Sequence, residues 1–246
     1  MDFAQPLDVL IQLALAEDRV DDDVTTRSLA EFDGPARAVV TAKAPGVISG
    51  CGAFVAVMAA IDPQVRVEIL RGDGARVAPG DPVLSVYGRE SSILRGERTA
   101  LNFLGRLSGV ATRTALYCER LAGTHTRLLD TRKTTPGFRE LEKKAVRDGG
   151  GDNHRHHLAD LALIKDNHIE MAGSIGAAVA AIRRHVPGGT PIEVEVKNLA
   201  ELHEALDLGV PWIMLDNFPT ESARQAVALV AGRARTEISG NVTLEN

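Results

Sequence analysis

The sequence has little cysteine and no excess of basic residues. Its two cysteines, Cys51 and Cys118, are isolated and lack the paired spacing of a zinc site. We interpret them as free thiols in a reducing compartment, with one disulfide bridge as the alternative. Lysine and arginine number 28 against 33 acidic residues, a net charge of −5. This balance argues against a general nucleic-acid binder, which needs a basic surface.

The sequence also lacks long hydrophobic runs. None approaches the roughly 18 consecutive apolar residues that a membrane-spanning helix needs. The start, MDFAQPLDVL, does not have the charged-then-apolar pattern of a secretory signal. We therefore predict a soluble, cytoplasmic protein without membrane contact. The 246 residues are 44% hydrophobic and 25% charged, enough for one large or two modest globular domains.

The N-terminal part of the chain has the pattern of a small α+β domain. A short amphipathic helix is predicted from Pro6 to Glu17, and short apolar runs with Gly-Asp and Pro-Gly turns follow to about residue 90. Residues 91–121 contain no proline and have apolar side chains at helical spacing. They predict one long helix or two consecutive helices. The glycines inside this segment favour the broken version.

After residue 126, strand and helix patterns alternate. Five short apolar runs, LLDTRK, ALIKDN, IEVEVK, WIMLDN and TEISGN, are separated by helical text. Such alternation predicts parallel strands joined by right-handed crossovers. Each run ends in polar residues, which would meet at one face of a barrel. We predict an α/β chain: an N-terminal α+β sandwich domain with its linking helix (residues 1–115), then an incomplete parallel β/α barrel (116–246). The residues expected around the barrel mouth are Lys133, Lys165, Glu195, Asp216 and Ser239.

The segment from Asp130 to His168 is cationic within an acidic chain. It contains eight Lys or Arg against seven Asp or Glu, about +1, which leaves −6 for the rest. Focused positive potential predicts a site for a small polyanion. A transition-metal site at His154–His157 is the alternative, although adjacent histidines lack the i, i+4 spacing of helical ligands. We interpret the charges between Glu142 and Arg147 as a solvent-exposed helix face.

Several motifs in this segment resemble one enzyme family. DTRKTTPG, GGGDNHR and LIKDNH occur in this order, between GERTALNFLGRLSG and the later IEVEVKNLAE, MLDNF and SGNVTLEN. Together they resemble quinolinate phosphoribosyltransferases, the carboxylating nicotinate-nucleotide pyrophosphorylases of NAD biosynthesis. The resemblance implies a pentosyltransferase that moves phosphoribosyl from phosphoribosyl pyrophosphate to quinolinate. Decarboxylation would give nicotinate mononucleotide, pyrophosphate and CO₂. The alternatives are a related barrel protein associated with molybdenum transport and a non-catalytic anion-binding homologue.

The resemblance also implies roles for individual residues. Two carboxylates of quinolinate would be held by Arg132, Arg155, Lys165 and the partner subunit's Arg98. His154 and Thr131 would lie at the same substrate, and Lys133 would be catalytic, between the acid and the sugar. Arginine suits carboxylates because its planar fork pairs bidentately, whereas lysine is a compact charge for phosphate. These assignments imply a homodimer with a shared site, or a hexamer built from such dimers.

The remaining implied residues concern the sugar and its phosphates. Glu195 and Asp216 would be catalytic, facing the ribose hydroxyls and binding Mg²⁺ through water and substrate oxygens. Ser239, Gly240 and Asn241 would offer backbone N–H groups to the 5′-phosphate.

Three features depart from the family pattern, and the first is the acidic stretch VDDD in place of a glycine-containing turn. His157 stands where the family usually has glycine, which puts the local loop geometry in question. The chain ends directly after SGNVTLEN, so we expect its barrel to lack the C-terminal end, including the family's final glycine-rich phosphate loop.

Overall fold

The computed structural model describes residues 6–186 and 188–246. These residues form two compact units, which divide between His154 and Arg155. The division into domains after residue 115 was based on where alternating strand and helix patterns begin in the sequence, and it stays a prediction. Within the described residues, every helix is too short or too polar to span a bilayer.

The first unit combines helices with two small antiparallel sheets. Its elements are α1 (Pro6–Glu17), α2 (Val24–Ser28), β1 (Pro35–Thr41), β2 (Gly46–Val47), α3 (Cys51–Ile61), β3 (Arg66–Ile69), β4 (Arg76–Val77), β5 (Pro82–Arg89), α4 (Glu90–Arg120) and α5 (Arg139–Asp148). One sheet has the order β1-β5-β3, and β2 pairs with β4. The buried core includes Phe54, Val57, Leu84 and Leu107. The predicted α1 and the predicted α+β character are confirmed.

Helix α4 is continuous, so the prediction of a broken helix was wrong. Gly96 is buried, and a β-carbon there would lie 2.9 Å from the Met58 sulfur. It therefore lets α4 approach α3. Each glycine costs helix stability by about 1 kcal/mol. The buried face of α4, with Phe103 and Leu107, offsets this cost, because packing decides helix stability in proteins more than propensity does.

The second unit is a parallel sheet with helices in its crossovers. Its elements are β6 (Ala162–Ile164), α6 (Asp166–Ala172), α7 (Ile175–His185), β7 (Ile192–Val196), α8 (Leu199–Asp207), β8 (Trp212–Asp216), α9 (Thr220–Val230) and β9 (Arg235–Ser239). The strand order is β6-β7-β8-β9, and every pairing is parallel. This confirms the α/β class. Helix α6 was not predicted.

The first of the five predicted strands does not form. In the run LLDTRK only Leu129 pairs, in an isolated parallel bridge with Asp152. At the next residues the Thr131 hydroxyl accepts the Lys133 N–H at 3.0 Å. Such local side-chain bonds turn the chain and compete with a strand ladder. The pattern of apolar residues does not show whether a side-chain hydrogen bond will replace the strand, so the strand was predicted wrongly.

The two faces of the parallel sheet differ in chemistry. Val194 and Val196 are fully buried in a core that the helices cover. The alternate residues Glu193 and Glu195 point to the opposite face, because side chains alternate along a strand. Both are buried, with 0% and 9% exposure. The sheet therefore brings carboxylates to one face while its other face is apolar.

The turn Gly149–Gly151 needs each glycine for a separate reason. A β-carbon on Gly149 would collide with the Ala111 carbonyl of α4. Gly150 has a left-handed φ of 91°. A β-carbon on Gly151 would lie 2.9 Å from the Thr114 methyl group. The turn is packed against α4 too closely for a side chain at positions 149 and 151, and its backbone favours glycine at position 150.

We expect Gly149→Ala to lower the free energy of unfolding by about 1–3 kcal/mol, because the new methyl group meets backbone that cannot yield easily. The matched control is Gly52→Ala in the first turn of α3, where the added carbon would lie more than 4 Å from every described atom outside the adjoining helix backbone. That change should be neutral or stabilising by up to about 1 kcal/mol. Denaturant unfolding measures both. Equal effects of the two substitutions would contradict the packing argument.

Candidate active site

Asp130 is the centre of a buried polar network in the first unit. Its Oδ1 accepts bonds from Lys143 Nζ at 2.5 Å and from the His154 N–H at 2.9 Å. Its Oδ2 accepts a bond from Asn153 Nδ2 at 2.6 Å. Lys143, which is 0% exposed, also donates to the His154 carbonyl at 3.0 Å. A buried ion pair of this kind is tolerated because additional hydrogen bonds satisfy both partners.

The predicted solvent-exposed face of α5 is partly wrong. Lys143 is buried in the ion pair, and Glu142 is only 7% exposed. Glu142 accepts bonds from Arg106 at 2.7 Å and from the Thr135 hydroxyl at 2.8 Å. Burial raises the pKa of Glu142, but these bonds outweigh it and the net shift is downward. Charge alone did not reveal these roles, since a buried and an exposed ion pair have the same sequence pattern.

The loop that follows Asp130 carries three of the predicted substrate-binding residues. Thr131 turns it through the bond to the Lys133 N–H, and the Lys133 side chain is exposed. Arg132 is half-buried, and its Nε is enclosed without a hydrogen-bond partner among the described residues. An ionised donor left unpaired is costly. An anionic ligand would remove that cost.

In the second unit, register places a cation beside an acid. Ile164 pairs with Val194, so the next residues along, Lys165 and Glu195, are level on adjacent strands. Lys165 Nζ lies 3.1 Å from Glu195 Oε2. The Lys165 backbone N–H donates to His168 Nδ1 at 3.0 Å, which caps α6. Two predicted site residues are thus in contact with each other.

The carboxyl ends of β8 and β9 bring the other predicted residues together. Asp216 and Ser239 form the last pair of the ladder. The Asn217 N–H donates to the Ser239 carbonyl at 2.8 Å. Gly240 and Asn241 follow directly, both with left-handed φ. The acid and the expected phosphate loop are therefore neighbours.

The segment after His154 adopts a compact turn. Arg155 is half-buried and donates from Nη1 to the Leu161 carbonyl at 3.0 Å. Asp160 accepts the N–H groups of His156 and His157 at 2.8 and 3.0 Å. His157 does not have a positive φ, so its β-carbon meets no backbone penalty. The departure from glycine at this position does not strain the turn.

The structure therefore gathers the predicted residues into separate groups within each unit. In the first unit, Thr131, Arg132, Lys133 and His154 lie around Asp130, while Arg98 is exposed on α4. In the second, Lys165 pairs with Glu195, and Asp216 adjoins the Ser239–Asn241 loop. Sequence reasoning missed Asp130, Lys143 and Asn217. The first and last of these directly adjoin predicted residues in the motifs DTRK and MLDN, which was the available signal.

Two family models cover most of the chain. Residues 23–108 match the N-terminal domain of quinolinate phosphoribosyl transferase, and residues 110–246 match its C-terminal domain. The chain belongs to the quinolinate phosphoribosyl transferase family. The resemblance of its motifs is thereby confirmed over both domains.

Individual relatives agree with the membership in this family. A probable nicotinate-nucleotide pyrophosphorylase [carboxylating] of Synechocystis is 44% identical over 98% of this chain and 82% of its own length. The corresponding protein of Mycobacterium leprae is 42% identical over 96% of the chain and 85% of its length. The crystal structure of NadC from Streptococcus pyogenes superposes with a TM-score of 0.92 at 42% identity, covering 99% of this chain and 87% of that one.

We expect Lys143→Met to lower the free energy of unfolding by about 3–5 kcal/mol, because it leaves the Asp130 carboxylate buried without its countercharge. The double variant Lys143→Met/Asp130→Asn should recover part of this loss. The control is Lys197→Met, which removes a lysine from the exposed pair with Asp166 and should change stability little. Denaturant unfolding of the four proteins would contradict the role of the pair if Lys143→Met behaved like the control.

Proposed function

We propose that this chain transfers the phosphoribosyl group of phosphoribosyl pyrophosphate to quinolinate, with release of pyrophosphate and CO₂. The product would be nicotinate mononucleotide, in NAD biosynthesis. The observation that carries the proposal is the match to both family domains, in which Lys165, Glu195 and Asp216 stand at the carboxyl ends of parallel strands. We include a cytoplasmic location in the proposal, supported by the free thiols of Cys51 and Cys118.

Quinolinate recognition is assigned to the cations. Arg132, Arg155 and Lys165 would hold its two carboxylates, with Thr131 and His154 at the same substrate. Arg132 supports this assignment because its enclosed Nε–H group has no hydrogen-bond acceptor among the described residues. Charge-assisted bonds from arginine to carboxylate are among the strongest available to a protein.

Lys165 would have to change partner when the acid binds. Its ammonium contacts Glu195 at 3.1 Å, and its side chain is 44% exposed against 10% for Glu195. A substrate carboxylate can approach the exposed lysine and share it. The contact between Lys165 and Glu195 would then weaken, and the Glu195 carboxylate would be available to the ribose hydroxyls. In this proposal, the ion pair keeps both charges compensated until the substrates arrive.

The chemistry proposed needs no protein nucleophile. The pyridine nitrogen attacks C1 of the ribose as the bond from C1 to pyrophosphate breaks. The bond to the 2-carboxylate then breaks, and its electron pair stays on the ring carbon beside the positive nitrogen until a proton is taken up. Lys133, Glu195 and Asp216 would act by orientation and charge stabilisation around the sugar. Glu195 and Asp216 lie on the same sheet face, on the neighbouring strands β7 and β8, with an offset of two residues in register.

We also propose that Mg²⁺ binds with the phosphoribosyl pyrophosphate. The residues fit such an ion: Glu195 and Asp216 carry carboxylates at strand ends, and their Cα atoms are roughly 8 Å apart by strand spacing and rise. That separation suits contact through water and substrate oxygens, which Mg²⁺ prefers to a protein cage. When bound, the ion would neutralise charge on the leaving pyrophosphate. Ser239, Gly240 and Asn241 would receive the 5′-phosphate at the adjoining loop.

A homodimer with shared sites is the third part of the proposal, and a hexamer of such dimers is its larger form. Arg98 is exposed on α4, and Asn102, Gly105 and Gly109 are exposed at helical spacing from it. Apart from the adjoining backbone of α4, no atom of the described residues lies within 4 Å of the position that a β-carbon on either glycine would take. A second subunit could therefore approach α4 closely and receive Arg98 in its own site.

We expect the parent chain to release CO₂ from carboxyl-labelled quinolinate only when phosphoribosyl pyrophosphate and Mg²⁺ are both present. Nicotinate should give no product, because it lacks the 2-carboxylate. Arg155→Ala should lower turnover roughly 30- to several-thousand-fold, the usual cost of truncating a charge pair in a partly dry site. Arg184→Ala, at an exposed position on α7, is the control and should leave turnover unchanged. Release of CO₂ without phosphoribosyl pyrophosphate would contradict the proposed reaction.

Subunit mixing tests the shared site. We expect Arg98→Ala and Lys165→Ala chains to be inactive separately and to regain about a quarter of the parental activity when mixed equally. Half of the random dimers are mixed, and each has one site with every group intact. A mixture of two Lys165→Ala preparations is the control. If subunit exchange is demonstrated and activity does not return, Arg98 does not act in the neighbouring subunit.

A further inference from the structure

Asn217 has a backbone conformation that most residues avoid. It follows Asp216 at the end of β8 with a φ of 55°. The left-handed region costs an ordinary residue roughly 1–2 kcal/mol, and asparagine tolerates it better than most. The conformation turns the Asn217 amide back toward β9, so its side chain can contact residues of both strand ends.

Three hydrogen bonds fix the position of Asn217. Its Nδ2 donates to Asp216 Oδ2 at 2.8 Å, and its Oδ1 accepts from Asn241 Nδ2 at 2.9 Å. Its backbone N–H donates to the Ser239 carbonyl at 2.8 Å. One residue therefore contacts the carboxylate at the end of β8 and both ends of the Ser239–Asn241 loop after β9.

Gly240 is fitted to this side chain. Its φ is 88°, and a β-carbon on it would overlap the Asn217 Oδ1 and amide carbon. Asn241 is also left-handed, with a φ of 56°, and its carbonyl accepts a bond from Asn246 Nδ2 at 2.9 Å. The Ser239–Asn241 loop and the Asn217 amide are therefore complementary in shape. A larger side chain at Gly240 would displace the Asn217 amide.

We propose that Asn217 is a positioning residue that orients the Asp216 carboxylate and the Ser239–Asn241 loop as one unit. This inference rests on the proposed function, in which Asp216 faces the ribose and its metal-bound pyrophosphate and the loop receives the 5′-phosphate. Asn217 then couples recognition of the two ends of phosphoribosyl pyrophosphate. An amide is required, because it donates to a carboxylate and accepts from a second amide simultaneously.

The donor bond has a further consequence for Asp216. It occupies one lone pair of Oδ2 and leaves Oδ1 for the ribose or the metal. An aspartate at position 217 could still accept from Asn241, but it would face Asp216 as a second negative charge. Like charges at hydrogen-bond distance repel each other, so the Asp216 carboxylate would lose its fixed orientation. The donor and acceptor roles of Asn217 can therefore be separated by experiment.

Asn217→Gly removes the amide and keeps the left-handed backbone without strain. We expect it to raise the KM for phosphoribosyl pyrophosphate roughly ten- to a hundredfold, since one lost bond involves a charged group. The KM for quinolinate should stay within about twofold, because among the described residues Asn217 bonds only to Asp216, Ser239 and Asn241 and to none of the cations assigned to that acid. A merely structural residue would affect both constants or only the unfolding temperature.

Two further variants separate the contacts. Asn217→Asp keeps the acceptor for Asn241 and removes the donor to Asp216, so it should raise the KM for phosphoribosyl pyrophosphate and leave the KM for quinolinate within about twofold. Asn241→Ala removes the same amide contact from the loop side and should raise the same KM. Ala231→Gly is the control: Ala231 has a left-handed φ of 48° at the end of α9. It should leave every kinetic constant unchanged.

The outcomes separate the inference from the function on which it rests. A parent chain without CO₂ release dependent on phosphoribosyl pyrophosphate contradicts the proposed function, and the inference with it. An active parent whose Asn217→Gly and Asn241→Ala variants keep the parental KM for phosphoribosyl pyrophosphate contradicts the inference alone. Equal rises in both substrate constants also overturn it. If Asn217→Gly does not fold, Asn241→Ala and Asn217→Asp decide the result.

Discussion

The buried pair of Asp130 and Lys143 is the constraint on which the first unit's polar residues depend. A lysine with 0% exposure requires a countercharge within hydrogen-bond distance, and Asp130 supplies it at 2.5 Å. Because Asp130 also accepts the His154 N–H, the pair fixes the backbone of two motifs at once. The glycine turn, Gly149–Gly151, connects α5 to the segment whose His154 N–H Asp130 accepts, and this turn packs closely on α4. Removing either charge would leave the other in an apolar environment.

The second unit applies a different constraint, the register of parallel strands. Residues at successive strand ends become neighbours without any sequence proximity, and this puts Lys165 at 3.1 Å from Glu195. The same rule puts Asp216 beside Ser239, and Asn217 then connects the two strand ends. The opposite charges of Lys165 and Glu195 are therefore in direct contact with each other. That arrangement explains how an acidic chain can hold a cationic site without a large cost from unpaired charge.

Much of the fold was predictable, and the errors have physical causes. Periodicity gave α1, the α+β character of the first unit and four parallel strands, because each depends on local alternation of apolar residues. The strand predicted at LLDTRK failed because the Thr131 hydroxyl bonds to the Lys133 N–H. The break predicted in α4 failed because the packing of its buried face, where Gly96 lies close to Met58, offsets the cost of its glycines. In both cases side-chain contacts outweighed the local propensity on which the prediction rested.

The sequence by itself determined the family, through motifs in a fixed order, and it determined which residue types could bind anions or a metal ion. These properties are local, since a motif needs only its own residues. Only the tertiary structure decided that Lys143 is buried and Lys197 exposed, although both are lysines in charged segments. It also decided that Asn217 contacts Asn241, 24 residues along the chain. Burial and long-range contacts arise from packing between elements. They cannot be derived from the type and spacing of the residues in one local segment.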